Sequence, residues 1–322
     1  LLFLLPNTLT GQTEKIRLSI RETAKSDTVF RFEERADRDL RLFEGERPVM
    51  VYNFGRMLKE GVPENRARSS YVHPIYGVEG EELSDDFPRD HYHHRGLFWA
   101  WPVVQIADRT YSLWDIRGIY HRFERWTYRE AGPVCAMFGV QNGWYVGDRK
   151  MIDEQVEFLV YCAGETGRAI DVVLHFRALD EPVTLSGTAD QNKGYGGFNF
   201  RPAPREETKI VTSGGFQEKD SNLLPFPWAD MSARFHGREN VTGIAILQDE
   251  HNPDFPAGWT LRYYGFLGVA WPGLQDLTIR PGEAGIRLRY RLWIHKGDAE
   301  TGKVAEAYRV YHEPVSVQVV NE

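Results

Sequence analysis

Apolar and polar residues alternate with a period of two along much of the chain. Ile170, Val172, Leu174 and Phe176 are interleaved with Asp171, Val173, His175 and Arg177, and Ile286, Leu288, Tyr290, Leu292 and Ile294 with Arg287, Arg289, Arg291, Trp293 and His295. A strand sends successive side chains to opposite faces, so these runs read as half-buried antiparallel strands. Similar runs lie at 15–22, 29–33, 48–54, 120–128, 152–161 and 241–248, separated by turn sequences such as GDRK and RPGEAG. One helical pattern stands out at 298–312, where an Asp-led start precedes Val304, Tyr308 and Tyr311 on one face. The closing VSVQVV reads as a returning edge strand, and residues 1–45 as a small hairpin appendage. With no fixed-period repeat and no low-complexity linker, the expectation is an all-β fold, a large antiparallel β-sandwich over residues 14–322 with one C-terminal helix.

Composition narrows the function more than the fold. The chain has 322 residues, 42% hydrophobic and 26% charged, which is enough apolar surface for a sizeable core. Its formal net charge of -7 argues against a nucleic-acid partner, since phosphate affinity comes from clustered Lys and Arg. No run of about 20 apolar residues predicts a membrane span. The opening LLFLLPNTLTGQ reads as a remnant of an export signal over residues 1–13, or as a disordered terminus, which favours a periplasmic or secreted location. Cys135 and Cys162 sit in apolar strand-like segments and are expected to be free thiols.

The chemistry concentrates in DDFPRDHYHHRGLFWAW at 85–101. On an extended backbone His91 and His93 project to one side and His94 to the other. Two imidazoles at that spacing suit one divalent ion, Ca, Mn or Zn ahead of copper, with a third ligand from elsewhere. Alternatively one His, oriented by Asp90, works as a metal-free acid or base. Trp99 and Trp101 in the same run offer flat faces on which a pyranose stacks, and Arg95 offers a donor fork. Two further segments are expected to converge there: DQNKGYGGFNFR with Asn199 and Arg201 on one strand face, and HNPDFPAGWTLRYYG with His251, Arg262 and Tyr264. Glu154 falls on the apolar side of its strand, a placement that points to an acid, a base or a ligand. No G-x-S-x-G elbow or Cys–His signature supports a serine or cysteine hydrolase.

The segments YVHPIYGVEGEELSDDFPRDHYHHRGLFWAW, NKGYGGFNFRP, HNPDFPAGWTLRYYGFLGV and LRYRLWIHKGD resemble a bacterial secreted family catalogued under a methane-oxygenase label. The label itself fits poorly, because a membrane-embedded oxygenase subunit needs spans that this chain lacks. The resemblance implies an exported bacterial protein encoded beside sugar-degradation genes. LRYRLWIHKGD followed by an amphipathic helix is also similar to the end of galactose-mutarotase-like β-supersandwiches, which implies carbohydrate chemistry by analogy.

Together these readings predict a carbohydrate-active enzyme that cleaves a glycosidic bond, by hydrolysis or β-elimination, with a glycan as partner. His91 and His93 would hold the metal. His94, Glu154 and Asp90 would move protons, Asp90 with Glu154 being the best carboxylate pair for hydrolysis. Arg95, Trp99, Trp101, Asn199, Arg201, His251, Arg262 and Tyr264 would bind the sugar. A mutarotase or epimerase and a non-catalytic glycan-binding protein are the alternatives, and a large sheet face leaves room for a homo-oligomer.

Overall fold

The computed structural model describes residues 30–313, and each long alternating run within them becomes a strand. A front sheet of nine strands runs in the order Phe30–Arg35, Asp39–Glu44, Arg47–Asn53, Tyr71–Ile75, Leu97–Ala100, Gly197–Phe200, Phe266–Ala270, Gly258–Arg262 and Ser221–Pro225. A back sheet, also of nine, runs Gly215–Phe216, Arg205–Thr212, Trp228–Phe235, Val241–Gln248, Ile286–Lys296, Gly167–Ala178, Arg149–Tyr161, Cys135–Val146 and Tyr120–Ala131. Four short strands form a third sheet at one side, Leu277–Ile279, Val183–Ser186, Val103–Ile106 and Arg109–Tyr111. The pairings of the two large sheets are antiparallel, as the alternation predicts. The readings at 1–13, 15–22 and VSVQVV lie outside the described residues.

The two large sheets meet face to face. Ile170, Val172, Leu174 and Phe176 are all 0% exposed, and each such side chain contributes about 1.5–3 kcal/mol through burial. Phe198 of the front sheet stacks on Tyr290 of the back sheet with ring centroids 4.3 Å apart, and Tyr52 meets Phe138 and Phe158 edge to face. Residues 30–44 are not an appendage: their hairpin pairs with Arg47–Asn53, and Phe30, Leu40 and Leu42 enter the common core. Cys135 and Cys162 are free, as expected.

The helix spans Val304–His312, later than the pattern suggests, because residues 298–303 form turns ending in Lys303 at φ 54°. Its apolar face, Val304, Tyr308 and Tyr311, packs with Trp228 and Trp293 against the outside of the back sheet. The turns that lead into the helix bury His295, which the alternation places on a polar face. The ring lies between Gly243 and Gly302, where a Cβ would meet it at 2.2 and 1.8 Å, and its Nε2 is 2.9 Å from Asp230 Oδ1.

Three residues expected in the site belong instead to the core. Trp99 and Trp101 are 0% exposed and point between the sheets, so neither presents a face to a sugar. Trp101 lies 5.4 Å from Trp144 and donates its Nε1–H to Trp271 O at 2.8 Å. Glu154 does point inward, but its carboxylate is spent on the fold. Trp99 Nε1 (3.0 Å), Trp144 Nε1 (2.6 Å) and Asn142 Nδ2 (2.8 Å) donate to it, and His121 Nε2 lies 3.2 Å away. A buried carboxylate is tolerated only when so surrounded. Burial works against the charge, yet His121 and the N–H donors outweigh it and hold the Glu154 pKa below its ordinary value.

A depressed carboxyl pKa adds stability that is present above the unfolded-state value and is lost as pH falls through the folded one. Glu154→Gln is therefore expected to cost about 3–5 kcal/mol at neutral pH by breaking this nest. The gap from wild type should shrink on acidification, as read from denaturant midpoints across a pH series. A variant of unchanged stability that has lost turnover would return Glu154 to the reaction.

Candidate functional site

The histidine run is not extended. Residues 85–96 fold as successive turns, with His91 N–H donating to Pro88 O at 3.0 Å and His94 N–H to His91 O at 2.9 Å. The strand geometry predicted for His91 and His93 is thus replaced by a compact knuckle in which all three rings touch. His91 stacks on His94 with centroids 4.7 Å apart and planes 9° apart, while His93 meets His94 edge-on at 4.6 Å and His91 at 5.6 Å.

Arg95 makes this knuckle. Its guanidinium is 0% exposed and donates to Tyr92 O, His94 O and Arg66 O, each at 2.6 Å. Its Cζ lies 3.5 Å over the Phe87 ring, and its Nε is 3.4 Å from Asp86 Oδ1. Arg95 is therefore a clamp on the loop and not a sugar ligand. Gly96 lets the loop rejoin the sheet, since a Cβ there would meet Val72 O at 2.4 Å.

Four strands of the front sheet carry the rest of the site on their outer face. Leu97–Ala100 places Phe98 outward, 6.0 Å from His94, while its neighbour Trp99 faces the core. On the next strand Phe198 is inward, and Asn199 and, just past its end, Arg201 are outward, as the sequence suggests. Arg201 Nη2 binds both oxygens of Asp90 at 3.0 and 3.1 Å, and Nη1 reaches His94 Nδ1 at 3.5 Å. The tight turn after Arg262 delivers Tyr264, whose ring stacks on His91 at 4.8 Å with planes 4° apart and lies 5.3 Å from the Arg201 Cζ. Asp90, His91, His93, Arg201 and Tyr264 thus converge, with His94 beneath them.

Other expected ligands do not reach it in a usable form. Asn199 is 1% exposed and donates to Gly197 O. Arg262 gives its N–H groups to Tyr195 Oη, Ser221 O, Leu261 O and Asn222 Oδ1, so it braces the neighbouring loop. His251 sits on the rim, exposed, with its backbone N–H and its ring Nδ1 both on Asp249 Oδ1, and makes no contact with the cluster. Tyr195, Trp114 and Asp115 join the site without having been singled out as ligands. Trp114 lies 5.7 Å from His93, Asp115 Oδ1 4.0 Å from His93 Nδ1, and Tyr195 Oη 3.4 Å from Tyr264 Oη. Trp114 had a signal in the aromatic crowding, whereas Asp115 comes from a loop that bends back at Ile116, φ 58°.

The electrostatics divide the cluster into acceptors and a donor. Burial pushes His93 down to about 4, partly opposed by Asp115, and pushes His94 well below its ordinary value, helped by the neighbouring imidazoles and arginines. Burial raises Asp90, but His91 and Arg201 bring it below the usual carboxylate range. Burial and the hydrogen bond with Tyr195 push Tyr264 up, so it stays a phenol. Near neutrality the site holds unprotonated His93 and His94 beside a protonated Tyr264. His91, His93, Asp90, Asp115 and Tyr264 keep substantial exposure; His94, 1% exposed, supports them from below. Among the described residues no group of three or more His, Cys, Asp or Glu side chains is placed to hold a metal ion, so the third ligand that His91 and His93 call for is not supplied by these side chains. The same outer face continues past Asp86 and Phe87 into a cavity of about 630 Å3. Among the described residues no helix is long and apolar enough to cross a membrane.

Comparison with solved structures finds slight likenesses. A heparan sulfate lyase from Pedobacter heparinus is 9% identical with a TM-score of 0.35, covering 88% of this chain and 38% of that one. A GalM/aldose epimerase homologue from C. elegans is 8% identical with a TM-score of 0.34, covering 83% and 98%. A 4-alpha-glucanotransferase from Thermococcus litoralis is 8% identical with a TM-score of 0.23, covering 83% and 37%. The chain thus spans well under half the length of the lyase and of the glucanotransferase, and similarities this weak carry no argument about activity. A comparison with curated proteins gives no match. One family model does match, over residues 40–309, and on that extent the chain belongs to the Family of unknown function (DUF6807).

Proposed function

We propose that the protein is a carbohydrate-active enzyme that cleaves a glycosidic bond by β-elimination at the His91–His93–Tyr264 cluster. The observation that carries this reading is the pairing of unprotonated imidazoles with a protonated phenol in one exposed cluster backed by Arg201. Hydrolysis by two carboxylates is disfavoured, because Glu154 and Asp90 lie on opposite sides of the front sheet: Trp99 carries the contact to Glu154 on the inner face, and Phe98 faces the cluster on the outer one.

Elimination needs a proton made acidic by a neighbouring carbonyl, which suits a uronide or an oxidised keto-sugar. His93 takes that proton from carbon. The C–H electron pair becomes the new C=C bond, the C–O bond to the leaving sugar breaks, and the Tyr264 phenol gives its proton to the departing oxygen. The His93 imidazolium then gives its proton to solvent and the tyrosinate takes one back, which restores both groups. Arg201, whose Cζ is 5.3 Å from the Tyr264 ring, supplies positive charge beside the enolate that develops. Asp90 fixes Arg201 and His91, whose Nδ1 lies 2.8 Å from its Oδ2. The adjoining cavity gives a longer glycan room for a further unit.

Assayed on uronide oligosaccharides by absorbance of the unsaturated product, His93→Ala and Tyr264→Phe are each expected to lower kcat about a hundredfold or more. Reducing ends without unsaturation would mean hydrolysis, anomer exchange a mutarotase, and binding without turnover a glycan-binding protein; each would overturn the proposal.

The pH profile tests the same pair. His93 must be unprotonated to act, so a pKa held near 4 leaves it active at pH 5–6, where an ordinary histidine would be mostly protonated. The acid limb of kcat/KM, which reports free enzyme, is expected near that value. The limb of kcat is expected higher, because a bound carboxylate stabilises the imidazolium. A kcat/KM limb near 6.5 would remove His93 as the base.

A divalent ion on His91 and His93, completed by water or substrate, is the competing account of these residues. Turnover is expected to survive exhaustive chelation. Loss on chelation that Ca, Mn or Zn restores in wild type but not in a His91→Ala/His93→Ala variant would establish the ion.

A further inference from the structure

A second cavity, of about 970 Å3, opens between the edge strand Tyr120–Ala131 and the segment 54–69. Ligand sites typically fall on the order of 300–1,000 Å3, so its size fits a small molecule with room to spare. The outer-face cluster does not line it. One wall is aromatic: Phe54, Phe123 and Trp126 pack on one another with centroids 4.7 to 5.3 Å apart. Trp126 and Phe123 are only partly buried, so their faces remain available.

Beside Ala36, Ala67, Leu113 and Ile116, the rest of the lining is polar, with arginines and a histidine outnumbering the acids. His121 is 5% exposed; its Nε2 lies 3.2 Å from Glu154, and its Nδ1 makes no hydrogen bond with any described residue. Glu154 thus fixes the ring and leaves the other nitrogen to the cavity. Arg68 is 3% exposed and spends Nη2 on the carbonyls of Leu113 and Trp114, while Nε and Nη1 find no partner. Burial and Arg95 push its pKa down, as expected of a guanidinium that lacks an anion. The acids of the wall are largely engaged, Glu64 with Arg56 and Glu34 with Arg129. Arg125, also in the lining, pairs with no carboxylate among the described residues, while Arg122 lays its guanidinium over the Tyr145 ring at 3.6 Å.

An aromatic wall beside an uncompensated buried cation and a fixed imidazole is complementary to a ring with an apolar face and a negative group. We propose that this cavity is a second ligand site that takes a carboxylate-bearing sugar, its ring on Trp126 and Phe123, its carboxylate toward the arginines and a hydroxyl on His121 Nδ1. The site is separate from the His93 cluster and needs no turnover to be occupied.

Hydrogen exchange on the full chain locates binding independently of activity. D-glucuronate, and not D-glucose, is expected to slow exchange in 120–126 and 54–69. In Trp126→Ala the glucuronate concentration needed should rise about tenfold, the worth of one good stacking or charge-assisted contact. Arg125→Gln, at an exposed position, reads the same effect if Trp126→Ala does not fold. Tyr264→Phe should leave this protection in place. The proposal is overturned by no protection at saturating glucuronate, by protection confined to 91–95, by equal protection with glucose, or by protection insensitive to both cavity variants.

Discussion

The candidate site depends on one buried cation. Two successive turns, closed at His91 and His94, leave backbone carbonyls pointing inward, and inward carbonyls without donors cost a few kcal/mol each. Arg95 answers Tyr92 O and His94 O, and Arg66 O from the neighbouring segment, with one planar fork and rests its own charge on Asp86 and the Phe87 face. A lysine, with a point charge and no fork, would not span these carbonyls. The knuckle in turn brings three imidazoles to one place, which strand alternation would have kept on two faces.

That clustering has an electrostatic consequence. Imidazoles packed at 4.6 to 5.6 Å, with Arg95 below and Arg201 beside them, make every added proton unfavourable for the next. Burial first, and these neighbours after it, hold His93 and His94 unprotonated well below the ordinary histidine value, with Tyr264 the group that keeps a proton to give. The same arginines that shape the loop thus select its chemistry, so the structural and functional roles of positive charge here are continuous.

Much of the fold is legible in the sequence because the period-two pattern records burial directly. Ile170 to Phe176 and Leu288 to Ile294 face the core as read. His295 departs from its pattern because the turn at Gly302 folds back over it and Asp230 of a neighbouring strand meets its ring, neither of which local alternation can show. The site is legible in part. Asp90, His91, His93, Arg201 and Tyr264 do come together from three distant segments, since charged and aromatic residues beside turns signal an exposed functional edge. The false assignments have separate causes. Trp99 and Trp101 lie close in sequence to the histidines, but adjacent strand residues point to opposite sides and both face the core, whereas Asn199 does point outward and is lost only because it is buried and its amide turns to Gly197 O. Arg95 and Arg262 were misread for another reason: a donor fork that binds a ligand and one that braces a loop look the same until the carbonyls are seen.

Glu154 shows how an unusual residue can be informative and still misplaced. An inward carboxylate on an apolar strand face does signal something that needs charge, as the sequence pattern suggests. The structure satisfies it with two indole N–H groups, an amide and His121, and the last of these is the one element of the nest that reaches beyond the core. The carboxylate fixes an imidazole in the wall of a cavity that the residues of the histidine knuckle do not line. The front sheet thereby separates two polar centres that sequence reasoning merges, one built on clustered imidazoles and the other on a buried carboxylate. Each owes its placement to the same alternation of faces at Phe98 and Trp99.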